Sequence, residues 1–216
     1  MRSEPLTKQV YRAIKNAILS GELHPGERVV ESRWSNQLHV SRSPVREAIR
    51  LLTAEYFLTE QDGVIEVYRP TVGDLRQLYE VRLAIETMAV KLVAQREPSE
   101  ALLEQLEKNV ASTVCVLRDA PTISNVVTLN TEFHWSIVVA SENHYLTEIY
   151  QNYSQLTETY GHWILQRNLL QTKIVEEHNA ILHALEQADA EVAFQAMFNH
   201  IAHDISAIQS IHLEGV

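Results

Sequence analysis

From Thr71 to Val216 the apolar residues recur every three or four positions, and no run of residues has strand character. A long stretch with a single helical periodicity has few ways to bury its apolar faces. Short connections between the helices predict an antiparallel bundle. Segments near 71–95, 99–118, 122–141, 145–168, 171–187 and 190–212 read as six helices, parted by "REPSE", "RDAP", "SENH", "RNLLQ" and "QADA". "TVGD" opens the first, with Thr71 placed as N-cap and Asp74 three residues on.

The preceding residues follow another plan. Val10, Ile14, Ala17 and Ile18 define one face of a helix over Thr7 to Ser20, and Gly21 is placed to end it. "GELHPGERVV" carries the Pro and Gly of a turn, and "ESRWSNQL" reads as a short second helix with Trp34 and Leu38 inward. After "HVS" comes a third helix. Ser41 is positioned to cap it, Pro44 falls in its first turn, and Val45, Ile49 and Leu52 form its buried side. Two short helices joined by a tight turn make a helix-turn-helix. "FLT" and "VIEVY", with Asp62-Gly63 between them, predict a β-hairpin wing. The expected fold is mainly α: a winged helix-turn-helix over residues 1–69, with a small β-hairpin wing, followed by an all-α six-helix antiparallel bundle over 70–216.

Charge sharpens this division. The net charge is −10, from 18 basic and 28 acidic residues. Ten of the basic and nine of the acidic residues lie at or before Arg69, leaving eight and nineteen for the remainder. The head is near neutral and the body strongly acidic, so a nucleic-acid partner must be judged from local surface rather than from the total. One cysteine, Cys115, excludes an intramolecular disulfide and a zinc-thiolate site and suits a core position. The N-terminal "MRSEPLTKQV" has no apolar signal region, and no apolar run is long enough to span a bilayer. A soluble, cytoplasmic protein without a membrane partner is expected.

Arg42, Arg46 and Arg50 stand four apart and form a gently drifting stripe opposite the third helix's buried face. Such a helix fits the major groove of DNA, with Ser41, Arg42, Ser43 and Arg46 nearest the bases. The plainer reading is a solvated face whose arginines pair with Glu47 or Glu55. The segment "GELHPGERVVESRWSNQLHVSRSPVREAIRLLTAEYFL" resembles the DNA-binding domain of GntR-family transcriptional regulators, with the turn at Leu23 to Gly26 and the recognition helix at Val40 to Ala48. The resemblance implies that Arg42 and Arg46 contact an operator, supported by Ser41 and Ser43, and that Gly63 lies at the wing tip in the minor groove. Several members carry a DNA-contacting arginine where this chain has Ser32, with Arg33 adjacent, and Asp62 is a poor phosphate partner. A single winged helix reads only a short half-site, so a homodimer on a pseudo-palindromic double-stranded operator is expected.

The body's histidines carry the remaining chemistry. Val127, Asn130, His134, Ile137 and Val138 share one helical face. Ile174, His178, Ile181, Leu182 and Leu185 share a second, and Ala193, Met197, His200, Ile201 and Asp204 a third. Three inward imidazoles from three helices favour a divalent metal such as zinc, nickel or manganese over three separate core histidines. "LYEVRLAIE", "NTEFHWSI" and "EEHNAILHALEQADAEVAFQAMFNHI" are similar to the FCD subgroup, the FadR-like C-terminal domain of GntR regulators. That resemblance implies metal binding by His134, His178 and His200, together with an aspartate four residues before the first. Asn130 occupies the aspartate position and can offer only a carbonyl oxygen.

In similar proteins an organic acid completes the coordination, so a small carboxylate effector is implied, with Arg82 as a second anchor. An ion pair between Arg82 and Glu86 is the structural alternative. His203 is placed one turn past His200 as a supporting partner, His183 falls off the inward face, and His144 and His162 read as loop or surface residues. The expected function is a sequence-specific regulator, with repression the commoner behaviour among similar proteins. The rivals are a three-histidine enzyme and a regulator whose metal is purely structural. The chain has no H-E-x-x-H motif, no Glu three residues before any of its ten histidines, and no evident general base beside the three ligands.

Overall fold

The computed structural model describes residues 4–119, 122–165 and 173–210. The chain divides into two compact units, residues 1–69 and 70–216.

In the first unit α1 (Leu6–Leu19), α2 (Glu31–Gln37) and α3 (Arg42–Ala54) precede a hairpin of β1 (Leu58–Gln61) and β2 (Val64–Val67). α1 ends where Gly21 enters the left-handed region at φ +77°, with the Leu23 amide donating to Ala17 O at 2.8 Å. Val10, Ile14, Val45 and Leu52 are fully buried where α1 meets α3, and Trp34 packs from α2. Asp62 and Gly63, at φ +53° and +74°, make the two-residue turn that pairs Gln61 with Val64.

The segment "GELHPGERVV" does more than turn the chain. Gly26 N donates to Val67 O at 2.7 Å, Val67 N to Glu27 O at 2.9 Å and Val29 N to Ile65 O at 2.8 Å, so it extends the wing along the free edge of β2. Ser41 stands at the N-cap position of α3 with extended backbone, but its hydroxyl makes no capping bond.

The second unit is helical among its described residues: α4 (Val72–Gln95), α5 (Glu100–Asp119), α6 (Ile123–Ala140), α7 (His144–Leu165), α8 (Ile174–Glu186) and α9 (Ala190–Gln209). Thr71 Oγ1 accepts from Asp74 N at 3.1 Å while Asp74 Oδ2 accepts from Thr71 N at 2.8 Å, a complete capping box. α4 packs along α9 and also meets α6, α7 and α8, while α5 packs on α6 and α8. Phe133, Ile137, Ile181, Leu185, Met197 and Ile201 are among the largest fully buried side chains.

Cys115 is exposed, contrary to its expected core position. α5 buries Leu102, Leu106, Val110 and Thr113, and a residue two positions past Thr113 turns about 200° away from that face. No helix of the described residues is long and apolar enough to cross a membrane.

Candidate metal centre and nucleic-acid interface

α6, α8 and α9 each bury one histidine because its helix continues an apolar face through that position. His134, His178 and His200 are no more than 2% exposed, and one ligand atom from each lies within 4.8 Å of the others. His134 and His200 stack at a centroid distance of 5.0 Å, with their Nε2 atoms 3.1 Å apart. His178 stands across both rings and is itself stacked on Phe133 at 3.9 Å. The donor set fits a divalent cation. Both ring nitrogens of His178 and the Oδ1 of Asn130 are buried without a hydrogen-bond partner, a costly state for polar atoms, and a cation would satisfy the bare nitrogen of the neutral His178 ring. Nitrogens bound tetrahedrally at zinc–nitrogen distances of about 2.0–2.1 Å lie about 3.3 Å apart, close to the separation of the two Nε2 atoms.

The protonation states agree with this donor role. Burial pulls the His134 pKa down to about 4, against the opposing pull of Glu86, and burial also holds His178 well below the usual histidine value. Both rings are therefore neutral near pH 7, the form that binds a metal. Two carboxylates stand behind the rings. Glu86 Oε2 lies 2.5 Å from His134 Nδ1, both groups fully buried. Glu177 Oε2 lies 2.7 Å from His200 Nδ1 and its Oε1 lies 2.6 Å from His203 Nδ1. The sequence named Glu86 only as a partner for Arg82 and did not single out Glu177; their place behind the rings corrects the expectation that no evident general base stands beside the three ligands.

Beyond Glu86 the polar chain continues into α4. Arg82 Nε donates to Glu86 Oε1 at 2.8 Å, and its Nη1, 3.9 Å from Asp204 Oδ2, has no hydrogen-bond partner. Burial would raise the Glu86 pKa, but Arg82 and His134 hold it down at about 2. Burial raises the Asp204 carboxyl despite His200 and Arg82. Of the other histidines, His183 is exposed beside Glu186 and His144 is exposed beside Glu148, while the side chain of His162 lies outside the described residues.

On the head, Ser41, Arg42, Ser43, Arg46 and Arg50 are all exposed along α3, and Arg33 is exposed on α2. A groove lined by Thr7, Ser41, Ser43, Arg46, Glu47 and Arg50 follows the helix. Arg46 is held by Glu31, its Nε 2.9 Å from Oε2, and Arg50 is held by Glu47 at 2.7 Å. Glu55 is engaged elsewhere, by Lys15 at 2.9 Å and by Tyr11 at 2.5 Å. The exposed Gly63 marks the wing tip.

Residues 77–203 match the FCD domain family model, and residues 6–64 match that of the bacterial regulatory proteins of the gntR family. The chain belongs to the GntR family. Among the relatives of this GntR regulator, the HTH-type transcriptional regulator YdhC of Bacillus subtilis is 29% identical over 98% of this chain and 94% of its own length. The gluconate operon transcriptional repressor of the same organism is 26% identical over 85% and 77%. A solved structure of McbR/YncC from E. coli shares the fold, with a TM-score of 0.74 at 22% identity over 95% of this chain and 98% of that one. The protein is thus a GntR-type transcriptional regulator with an FCD domain, and its family and relatives are regulators rather than enzymes.

Proposed function

We propose that this regulator is a cytoplasmic homodimer that represses transcription from a pseudo-palindromic operator, and that a small carboxylate bound beside a metal in the bundle modulates its grip on DNA. Residues 1–69 read DNA. Ser41, Arg42, Ser43 and Arg46 meet base edges, Arg50 and Arg33 grip phosphate, and Gly63 lets the wing approach the minor groove. Residues 70–216 dimerise and sense the effector. His134, His178 and His200 hold a divalent ion, zinc, nickel or manganese, with Asn130 Oδ1 as a further oxygen donor. When bound, the ion supplies positive charge and open positions that attract a carboxylate. Arg82 Nη1, buried and without a hydrogen-bond partner, anchors the effector's other end.

The observation that carries this reading is the buried histidine trio with both nitrogens of His178 unsatisfied. Repression follows the function that the gluconate operon relative carries in its name. Elemental analysis of untagged protein, purified without chelator beside a His134→Ala control, tests the metal. Near-stoichiometric metal lost in the variant is the expected result; metal-free protein in both samples overturns it.

A further inference from the structure

Asn130 removes a negative charge from the position where the resemblance implies an aspartate ligand. A carboxylate one bond removed from the donor nitrogens can restore that charge without touching the ion, because a ring that donates its Nδ1–H to a carboxylate becomes a stronger ligand at Nε2. Two carboxylates stand in such places, and they are not equivalent. Glu86 is matched by Arg82, whose Nε lies 2.8 Å from its Oε1, so that pair brings no net charge. Among the described residues Glu177 has no arginine or lysine ion-pair partner. It spends Oε2 on His200 Nδ1 at 2.7 Å and Oε1 on His203 Nδ1 at 2.6 Å.

Both bonds of Glu177 arise from the same register. His200 and His203 are three apart on α9 and project side by side, while Glu177 reaches them from α8, next to His178. Accepting from Nδ1 fixes His200 in the tautomer whose Nε2 is bare. That Nε2 lies 3.1 Å from the Nε2 of His134, whose own Nδ1 faces Glu86. Two bare nitrogens so close repel one another unless a cation or a proton joins them. The carboxylates therefore set the rings for a cation rather than for each other.

We propose that Glu177 is the positioning residue of the three-histidine centre: it fixes His200 with Nε2 inward, and it supplies the charge that Asn130 withholds. The half-exposed His203 closes the clamp by holding the second carboxylate oxygen. This inference rests on the metal reading above.

Two substitutions separate the roles. Glu177→Gln keeps an oxygen that can accept from His200 but removes the charge; Glu177→Ala removes both. In metal-free protein, nitrogen-15 NMR of the histidine rings reports the tautomer directly. His200 is expected to carry its proton on Nδ1 in the wild type and in Glu177→Gln, and to become a mixture in Glu177→Ala. A residue that merely supported the fold would leave that tautomer unmoved.

Zinc affinity, measured by competition with a chromophoric chelator, is expected to fall about 10-fold in Glu177→Gln and towards 100-fold in Glu177→Ala, the range typical of partners behind a ligand. Wild type with His200 protonated on Nε2, or variants within twofold of wild-type zinc affinity, overturns the proposal while leaving the metal reading intact. Wild type that takes up no zinc overturns both. Should the Glu177 variants fail to fold, His203→Ala decides instead. A loss of a few-fold in zinc affinity supports the clamp, and unchanged affinity with an unchanged His200 tautomer overturns it.

Discussion

Arg82 and Glu86 sit fully buried where the apolar face of α4 would otherwise run unbroken through Leu75, Leu78, Tyr79, Ile85, Ala89 and Val93. Removing one partner of such a pair leaves a charge in the interior, so Arg82→Ala is expected to destabilise metal-free protein by about 3–5 kcal/mol in urea unfolding. A loss below about 1 kcal/mol would mean that Glu86 takes a proton or another partner. The four-residue spacing was legible in the sequence as an ion pair; its burial was not, because burial is decided by α9 and α6 packing over it. The same neighbourhood predicts alkaline behaviour. Tyr79, with its ring centroid 4.7 Å from the Arg82 guanidinium carbon, and Tyr150 are buried, and burial pushes both phenols above their ordinary value of 10. A raised phenol stabilises the fold fully below pH 10, and that contribution is lost as pH rises past 10 and the unfolded tyrosines ionise. Absorbance at 295 nm should therefore show these two of the eight tyrosines ionising only as the protein unfolds. Early ionisation of all eight would contradict their burial.

At the scale of elements, α3 and the wing carry the test of DNA recognition. Arg46 is exposed, and its contact with Glu31 uses Nε, so Arg46→Ala removes no core packing. Circular dichroism should be unchanged. Affinity for an operator duplex obtained by in vitro selection should fall by about 1–3 kcal/mol, with relaxed preference at one base pair in each half-site. An equal loss on a scrambled duplex would reassign Arg46 to phosphate. Most elements were legible because each signal was local: the left-handed Gly21, the Asp62-Gly63 turn and the Thr71–Asp74 box act within four residues of themselves. What escaped was set by distant partners. Residues 26–29 became an edge of the wing only because β2 lay beside them, and Cys115 turned outward because Leu102, Leu106 and Val110 already defined α5's inner face. Glu177 reads as a solvated helix residue until α9 brings His200 and His203 against it.

For the whole molecule, the question is whether the centre in residues 70–216 and the DNA-binding face in residues 1–69 are thermodynamically coupled. A regulator whose metal and carboxylate control operator binding must show reciprocity: if the bound ligand changes operator affinity by some factor, operator DNA must change affinity for the ligand by the same factor. Coupling of this kind usually amounts to about 5–150-fold. The measurement is zinc affinity of the full chain with and without saturating operator duplex, beside operator affinity with and without zinc. A shared factor above about fivefold supports sensing through the histidine centre. Factors of one in both directions, with zinc still raising the melting temperature, would make the ion a structural support, since a ligand binding only the folded state stabilises it without moving any equilibrium between DNA-binding arrangements. Glu177→Gln then adds a further discrimination. If it weakens zinc binding equally with and without operator, Glu177 serves the site alone. If it changes the coupling factor as well, the clamp between α8 and α9 belongs to the element whose two arrangements the operator distinguishes.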